Sequence, residues 1–447
     1  MNKIFLFLIS NCLFAISLAQ QSVTPASALD AYLNNGDPTW AYEVRGNYQT
    51  GNTQAFSILF MSQKWQGILW KHELIVFVPE NINYDGALLF IAGGSLNDGI
   101  PKPVKPDDNL SIMLANIASR NQAVTAILRQ TPNQPLFGGL TEDALISFTL
   151  NEFRKDGNYA WPLLFPMVKS ALKAMDVIQE FASNHLRTEI NRFVISGASK
   201  RGWTTWLTGA SNDRRVEAIA PMVIDILNMP ATLADQQKDY NYSEEITDYV
   251  SLELPQAINS EFGNAIIQMI DPYAYRTRLS MPKILFMGTN DPYWTIDASK
   301  HYLDGIPGKN LLCYISNVGH NLGDGRTAFA TLSAFFDMTL NHYPYPVFDW
   351  ILTERGGKIS LEINLTDRQP KRLVVWSAES NSRDFRKSVW SDKEISMNKK
   401  PVAVTLPYPK KGFYAFYVEI TCSDSEGNDY SFTTRTYVAD TKKVFVK

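Results

Sequence analysis

The sequence predicts an α/β fold: a mostly parallel sheet with helices on both faces and an inserted cap, followed by a small C-terminal all-β sandwich. Three observations carry that expectation. Between residues 87 and 223, short aliphatic runs alternate with helix-compatible segments, the pattern of parallel strands joined by crossover helices. Residues 228–279 then break this rhythm. Beyond Pro344-Tyr345-Pro346 the chain turns to short alternating runs separated by turn residues.

The elements follow in order. Three β-rich runs, 41–48, 55–61 and 67–78, are divided by turn signals such as Thr50-Gly51-Asn52 and read as an antiparallel start to the sheet. Strand 87–92, helix 110–119, strand 123–128, a long amphipathic helix 162–181, strand 193–196, helix 201–209 and strand 218–223 give the parallel part. Residues 228–279 carry charge, several aromatics and helix-like segments but no buried strand, so they read as a cap over the active edge of the sheet. Strands 283–287 and 311–315 and helix 326–340 complete the α/β domain, expected over 20–346. Runs 358–363, 372–377, 402–406, 413–420 and 431–438 suggest an immunoglobulin- or fibronectin-like sandwich over 347–447.

Composition bounds the function. The 447 residues are 45% hydrophobic, enough for large cores, and 42 basic against 45 acidic residues give a net charge of −3 with no basic block. Nucleic acid is therefore not an expected partner. No His, Cys and carboxylate cluster has metal-ligand spacing, so neither a metal nor another cofactor is expected. Lys3, an apolar stretch over 4–18 and the small residues Ser17 and Ala19 read as a signal peptide over 1–19, cut near Ala19/Gln20. The mature chain is then secreted, to the extracellular space or a periplasm, with no transmembrane segment left. Cys12 departs with the leader, and Cys313 and Cys422 are expected as buried thiols.

The chemistry concentrates at 192–202, Arg-Phe-Val-Ile-Ser-Gly-Ala-Ser-Lys-Arg-Gly, where an apolar run drives into a Gly-x-Ser and then into a helix. Such a turn lifts a nucleophilic serine, here Ser199, above the sheet edge. The usual second glycine, two residues after the serine, is replaced by Arg201, with Gly202 one step later. An acid and a histidine then follow in the order of an α/β-hydrolase-type fold. Asp291 comes just past the strand 283–287, and His320 lies on the loop after 311–315. Asp291 would orient the imidazole, and His320 would move the proton of Ser199. Asp297 and Asp324 are alternative acids, and an Asn-Asp-Pro turn or a surface histidine is the structural alternative. The other histidines, His72, His185, His301 and His342, fall in a strand, two helix-like segments and a helix end. An oxyanion hole is expected from the backbone amides of Lys200 and of Gly94 or Ser95, after Ile91-Ala92-Gly93-Gly94. The Lys200 and Arg201 side chains could meet an acidic substrate group, although charges on a first helical turn are usually solvated.

Thr141-Glu142-Asp143-Ala144-Leu145-Ile146, the segment from Trp161 to Ala171, Gly197-Ala198-Ser199-Lys200-Arg201-Gly202-Trp203 and Gly288-Thr289-Asn290-Asp291-Pro292-Tyr293-Trp294 together resemble the PhoPQ-activated pathogenicity-related protein family. The resemblance runs from about residue 30 to about 440. It implies an exported α/β-hydrolase-like protein whose serine, aspartate and histidine correspond to Ser199, Asp291 and His320, and a Gly-x-Ser-x-x-Gly elbow similar to that of glucuronoyl esterases. The family's roles span virulence, peptide resistance and an amoebal repressor of proliferation. Two functions are accordingly expected. The first is a secreted serine hydrolase acting on a small ester or peptide through an acyl-enzyme. The second is a secreted signalling or binding protein on a hydrolase scaffold, with a cell-surface partner.

Overall fold

The computed structural model describes residues 22–446 apart from 104, 106, 366–369, 399–401 and 425, and the expected leader over 1–19 lies outside them. The large sheet is built from β1 (Ala41–Thr50), β2 (Thr53–Trp65), β3 (Ile68–Pro79), β4 (Gly86–Ile91), β5 (Val124–Leu128), β6 (Arg192–Ala198), β7 (Val216–Met222), β8 (Lys283–Gly288) and β9 (Asn310–Ile315). These nine strands lie in the order β1-β2-β3-β5-β4-β6-β7-β8-β9. Pairing is antiparallel from β1 to β5 and parallel from β5 to β9. Every residue of β4, β5 and β8 is buried, which explains their mostly apolar sequences, interrupted only by Thr125 and Lys283, whereas β1 stays largely solvated at the sheet edge.

The longer helices are α1 (Asn109–Asn121), α2 (Glu142–Asp156), α3 (Leu164–Phe181), α4 (Lys200–Gly209), α5 (Met229–Tyr240), α6 (Glu261–Ile270) and α7 (Arg326–Leu340). Alternate residues of β4 face opposite cores. Ala87, Leu89 and Ile91 join the core that contains α3 and α4, while Leu88 and Phe90 join that of α1 and α7. Helices therefore cover both faces, in an α/β-hydrolase-type layering. Helix α2 is absent from the sequence expectations, and α3 begins at Leu164 rather than 162. Residues 228–279 contain α5, α6 and shorter helical turns, with no strand among the described residues.

The C-terminal region consists of antiparallel sheets. Strands β10 (Phe348–Arg355), β11 (Lys358–Leu365) and β14 (Val402–Pro407) form one, in the order β10-β11-β14. Strands β12 (Arg372–Ser380), β13 (Ser391–Glu394), β15 (Phe413–Ser423) and β16 (Asp429–Thr433) form the other, in the order β13-β12-β15-β16, with β17 (Tyr437–Ala439) also on β15. The run expected as one strand over 431–438 is thus two strands. Between them Thr434 Oγ1 accepts the Val418 amide at 3.1 Å, and a side chain takes a place that a main-chain carbonyl would hold in an unbroken ladder. Cys313 in β9 and Cys422 in β15 are both buried and form no disulfide.

Helix α4 crosses β6 and β7 at very short range. A Cβ on Gly197 would sit 2.9 Å from the carbonyl oxygens of Arg201 and Ile91, and one on Gly202 would sit 2.6 Å from Met222 O and 2.8 Å from Ile224 Cγ2. The glycine is needed at 202 because that residue, not 201, faces β7. Gly202→Ala should therefore lower stability by about 1–3 kcal/mol, the usual range for overpacking a filled interior, as read from the urea midpoint at unchanged m-value.

Candidate active site

The strand order reverses direction at β4. Strand β5 pairs on one side of it and β6 on the other, and a crevice opens there beyond the carboxyl ends of the parallel strands. Ser199 stands in that crevice, as the single residue between β6 and α4. Its backbone has φ 61° and ψ −126°, a conformation that side-chain-bearing residues rarely adopt. Two hydrogen bonds clamp it: Ser199 N donates to Met222 O at 2.9 Å, and Trp203 N donates to Ser199 O at 2.9 Å.

Asp291 and His320 are brought together on neighbouring loops. His320 Nδ1 lies 2.8 Å from Asp291 Oδ2, while Asp291 Oδ1 accepts the Tyr293 amide at 2.9 Å. The carboxylate therefore serves its own Asp-Pro turn with one oxygen and the imidazole with the other. With Nδ1–H directed at Asp291, Nε2 carries the free lone pair. That atom is buried and has no hydrogen-bond partner among the described residues. The Tyr293 ring lies against the imidazole at 4.2 Å between centroids. No hydrogen bond joins Ser199 Oγ to His320 Nε2. The alternative acids are committed elsewhere, Asp297 to Lys300 and Arg383 and Asp324 to Arg326.

The remaining histidines are accounted for. His72 is fully buried between Arg129 O and the Ser62 hydroxyl, and burial pushes its pKa down to about 4. His185 stacks on Phe181, His301 meets Asp235, and His342 lies beside Arg192 and Glu217.

The loops that carry Asp291 and His320 are fastened to each other and then to the C-terminal sheets. Asn290 N donates to Val318 O at 2.9 Å and Asn317 N to Thr289 Oγ1 at 2.8 Å. Gly288 has no room for a side chain, since a Cβ would meet Gly319 O at 2.4 Å. From the other side, Asn290 Nδ2 donates to Ser388 O at 2.7 Å and to Arg386 O at 3.2 Å. Asn317 is held by Trp390 at both ends of its amide, at 2.9 and 2.7 Å. Arg383, 9% exposed, pairs with Asp239 of α5 and with Asp297, and Lys300 ties Asp297 to Asp235 of α5.

Gly94 and Ser95 follow β4, whose Ile91 is paired with Gly197 of β6, so this loop adjoins the elbow. Gly94 has φ 148°, and a Cβ there would lie 2.9 Å from Gln130 Nε2; at Gly93 a Cβ would lie 2.6 Å from Arg201 Nη2. Glycine is favoured at 94 by its positive φ and by the Gln130 main-chain nitrogen 3.1 Å from where a Cβ would lie, whereas at 93 the neighbour is the end of the Arg201 side chain. The Lys200 and Arg201 side chains, expected to be solvated or to meet substrate, are instead buried and paired. Arg201 grips both oxygens of Glu142 at 2.7 Å and donates to Thr131 O, and Lys200 Nζ reaches Glu142 at 3.0 Å and Asp143 at 3.1 Å. Asp143 also accepts the Tyr249 hydroxyl at 3.0 Å. Sequence reasoning missed these acids as partners, although Thr141-Glu142-Asp143 stood out as a motif.

A largely apolar cavity of about 70 Å³ opens beside Ser199. Its walls come from α4, from Asp143 and Leu150 of α2, from Ile224 and Ile226 after β7, from Tyr293 and Trp294, and from α5, α6 and the segment between them.

Asn290→Ala would leave the half-buried carbonyls of Arg386 and Ser388, in the connection between β12 and β13, without their donor. It should lower stability by about 1–3 kcal/mol and speed amide exchange across 316–320, both measurable by denaturation and hydrogen exchange. Glu142 gives a pH signature. Burial disfavours its charge, but the Arg201 hydrogen bonds and charge, with Lys200, outweigh burial and lower its pKa to about 2 from an ordinary 4.5. Its stabilisation is therefore present above about 4.5 and lost as pH falls through about 2. Glu142→Gln should flatten that part of the acid-unfolding curve.

A family model described as PhoPQ-activated pathogenicity-related protein matches residues 29–386. Autocrine proliferation repressor protein A of Dictyostelium discoideum is 29% identical over 432 residues, covering 88% of this chain and 85% of that protein. Among solved structures, acetyl xylan esterase 1 from Thermoanaerobacterium aligns with TM-score 0.48 at 16% identity, over 71% of this chain and 93% of that one. A glucuronoyl esterase from Solibacter usitatus aligns with TM-score 0.41 at 14% identity, over 66% and 87%. On the extent of the family match, with its α/β-hydrolase-type sheet, the chain belongs to the PhoPQ-activated pathogenicity-related protein family.

Proposed function

We propose that the protein is a secreted serine hydrolase that cleaves an ester or peptide substrate through an acyl-enzyme on Ser199. The observation that carries this reading is the Asp291–His320 pair, with a free and buried Nε2, on the strand edge where Ser199 occupies a strained elbow. His320 Nε2 takes the proton as Ser199 Oγ attacks the carbonyl carbon, then delivers it to the departing group as the carbonyl–leaving-group bond breaks. A water molecule, deprotonated by the same nitrogen, releases the acid. Asp291 holds the imidazole in its working tautomer and stabilises the imidazolium. The Lys200 amide, together with that of Gly94 or Ser95, would hold the oxyanion. Contacts between nucleophile and base are commonly long in free enzymes and tighten in the substrate complex, in keeping with the unbonded Ser199 hydroxyl. Export follows the leader expected over 1–19, and the α/β and C-terminal parts are taken as domains meeting near 346.

A second reading draws on the Dictyostelium relative, whose name is that of an autocrine proliferation repressor. In it the hydrolase scaffold presents a surface to a partner on cells, and turnover is dispensable.

A fluorophosphonate probe should label the wild type but not Ser199→Ala. His320→Ala and Asp291→Asn should each reduce hydrolysis of an activated ester by about 10³-fold or more while circular dichroism stays unchanged. A folded wild type that resists labelling sinks the hydrolase reading. Full biological potency of Ser199→Ala would favour the signalling one.

A further inference from the structure

We infer that the preferred substrate is an ester of an apolar acyl chain longer than acetyl, with the chain lodged in the cavity beside Ser199. This rests on the hydrolase reading and goes beyond it to the substrate class. Four features of the cavity carry it.

The first is composition. The walls that argue for a hydrocarbon occupant are Ile226, Leu233, Leu254, Ile258, Phe262 and Ile266, which surround a space large enough to lie unfilled beside a closely packed core. The second is the state of the polar groups at its Ser199 end. Asp143 and the Lys200 ammonium both border the space, but they are already satisfied by one another, by Glu142 and by Tyr249. None of them is left to recognise a charged or sugar-like acyl group, and hydrogen-bonding groups placed in this space would lose water without replacing it.

The third is direction. Ser199 lines the cavity but His320 does not; Tyr293 stands at the boundary, lining the cavity and stacking on the imidazole. The leaving oxygen must lie within reach of His320 Nε2 to be protonated, so the leaving alcohol belongs on the histidine side. The acyl group, which stays bonded to Ser199 Oγ after that alcohol departs, is the part directed into the cavity. The fourth is the origin of the walls. Leu233, Leu254, Ile258, Phe262 and Ile266 all belong to the 228–279 segment that interrupts the sheet, so this insertion makes the chain-binding surface. An extended peptide would need backbone donors and acceptors along its path, and the side-chain walls offer none in their place.

The test uses the full mature protein and p-nitrophenyl esters with acyl chains of two, four, six, eight and ten carbons, alongside fluorophosphonate labelling. Each methylene that enters the cavity should raise kcat/KM by roughly two- to fourfold until the chain reaches its end. Ile258→Phe, which shortens the space, should move the optimum toward shorter chains, read as the ratio of octanoyl to butanoyl kcat/KM; Ile258→Ala should move it the other way and covers the case in which the larger side chain does not fold. A protein labelled at Ser199 whose kcat/KM is highest on acetate, or flat with length, or whose optimum ignores both Ile258 variants, overturns the inference and leaves the hydrolase reading standing. Absence of labelling and of hydrolysis on every ester overturns both.

Discussion

Everything at the sheet edge depends on how closely α4 can cross β6 and β7. The chain has one residue, Ser199, in which to reverse from strand to helix, and it does so only because Gly197 and Gly202 let the backbones nearly touch. That crossing sets the unfavourable φ of Ser199, which a local hydrogen bond alone would not sustain. The strain is maintained by the packing on either side of it. The same crossing sends the Arg201 side chain away from β7 and across Gly93 to Glu142, so the elbow, the loop after β4 and the start of α2 become one unit.

The second half of the site is organised differently. Asp291 and His320 sit on loops whose shapes are not determined by their own sequences, and these loops are held from outside. Asn290 and Asn317 read main-chain groups of the 385–390 segment, while Arg383 and Lys300 join that segment, the Asp297 turn and α5 through buried charges. Such pairs add little net stability when complete, but removing one partner leaves a buried charge or carbonyl without compensation. They therefore act as constraints on geometry. The C-terminal region serves as a rigid support for the loops that carry Asp291 and His320, and α5, which contributes to the cavity wall, is tied into the same network.

Much of this was legible in the chain. Every strand of the large sheet was visible, β1 to β3 as β-rich runs between turn residues and the buried parallel strands as short, mostly apolar runs, and the positions of Ser199, Asp291 and His320 followed from strand ends taken in order. Helix α2 carries ordinary helix signals, an acidic first turn, Arg154 and Lys155 in its last turn and Gly157 beyond it, and the sequence expectations omitted it all the same; what no local pattern shows is that Glu142 meets Arg201, 59 residues away. Strand β13, Ser391–Glu394, is exposed throughout and shows no alternation, so nothing in its pattern marks it. The break between β16 and β17 depends on a hydroxyl of Thr434 meeting Val418, a contact that local propensity does not encode.

The sequence by itself determined the layering, the placing of Ser199, Asp291 and His320 at successive strand ends and the glycine-bounded elbow, because each is set by periodicity, strand termini or the lack of a Cβ. Tertiary structure alone decided that glycine was needed at 202 and not at 201, since only the approach of Met222 O distinguishes the two positions. It also decided that Lys200 and Arg201 are buried partners of Asp143 and Glu142, and that the space beside Ser199 is walled by the inserted segment. Those outcomes depend on distances between residues far apart in the chain, which short-range pattern cannot carry.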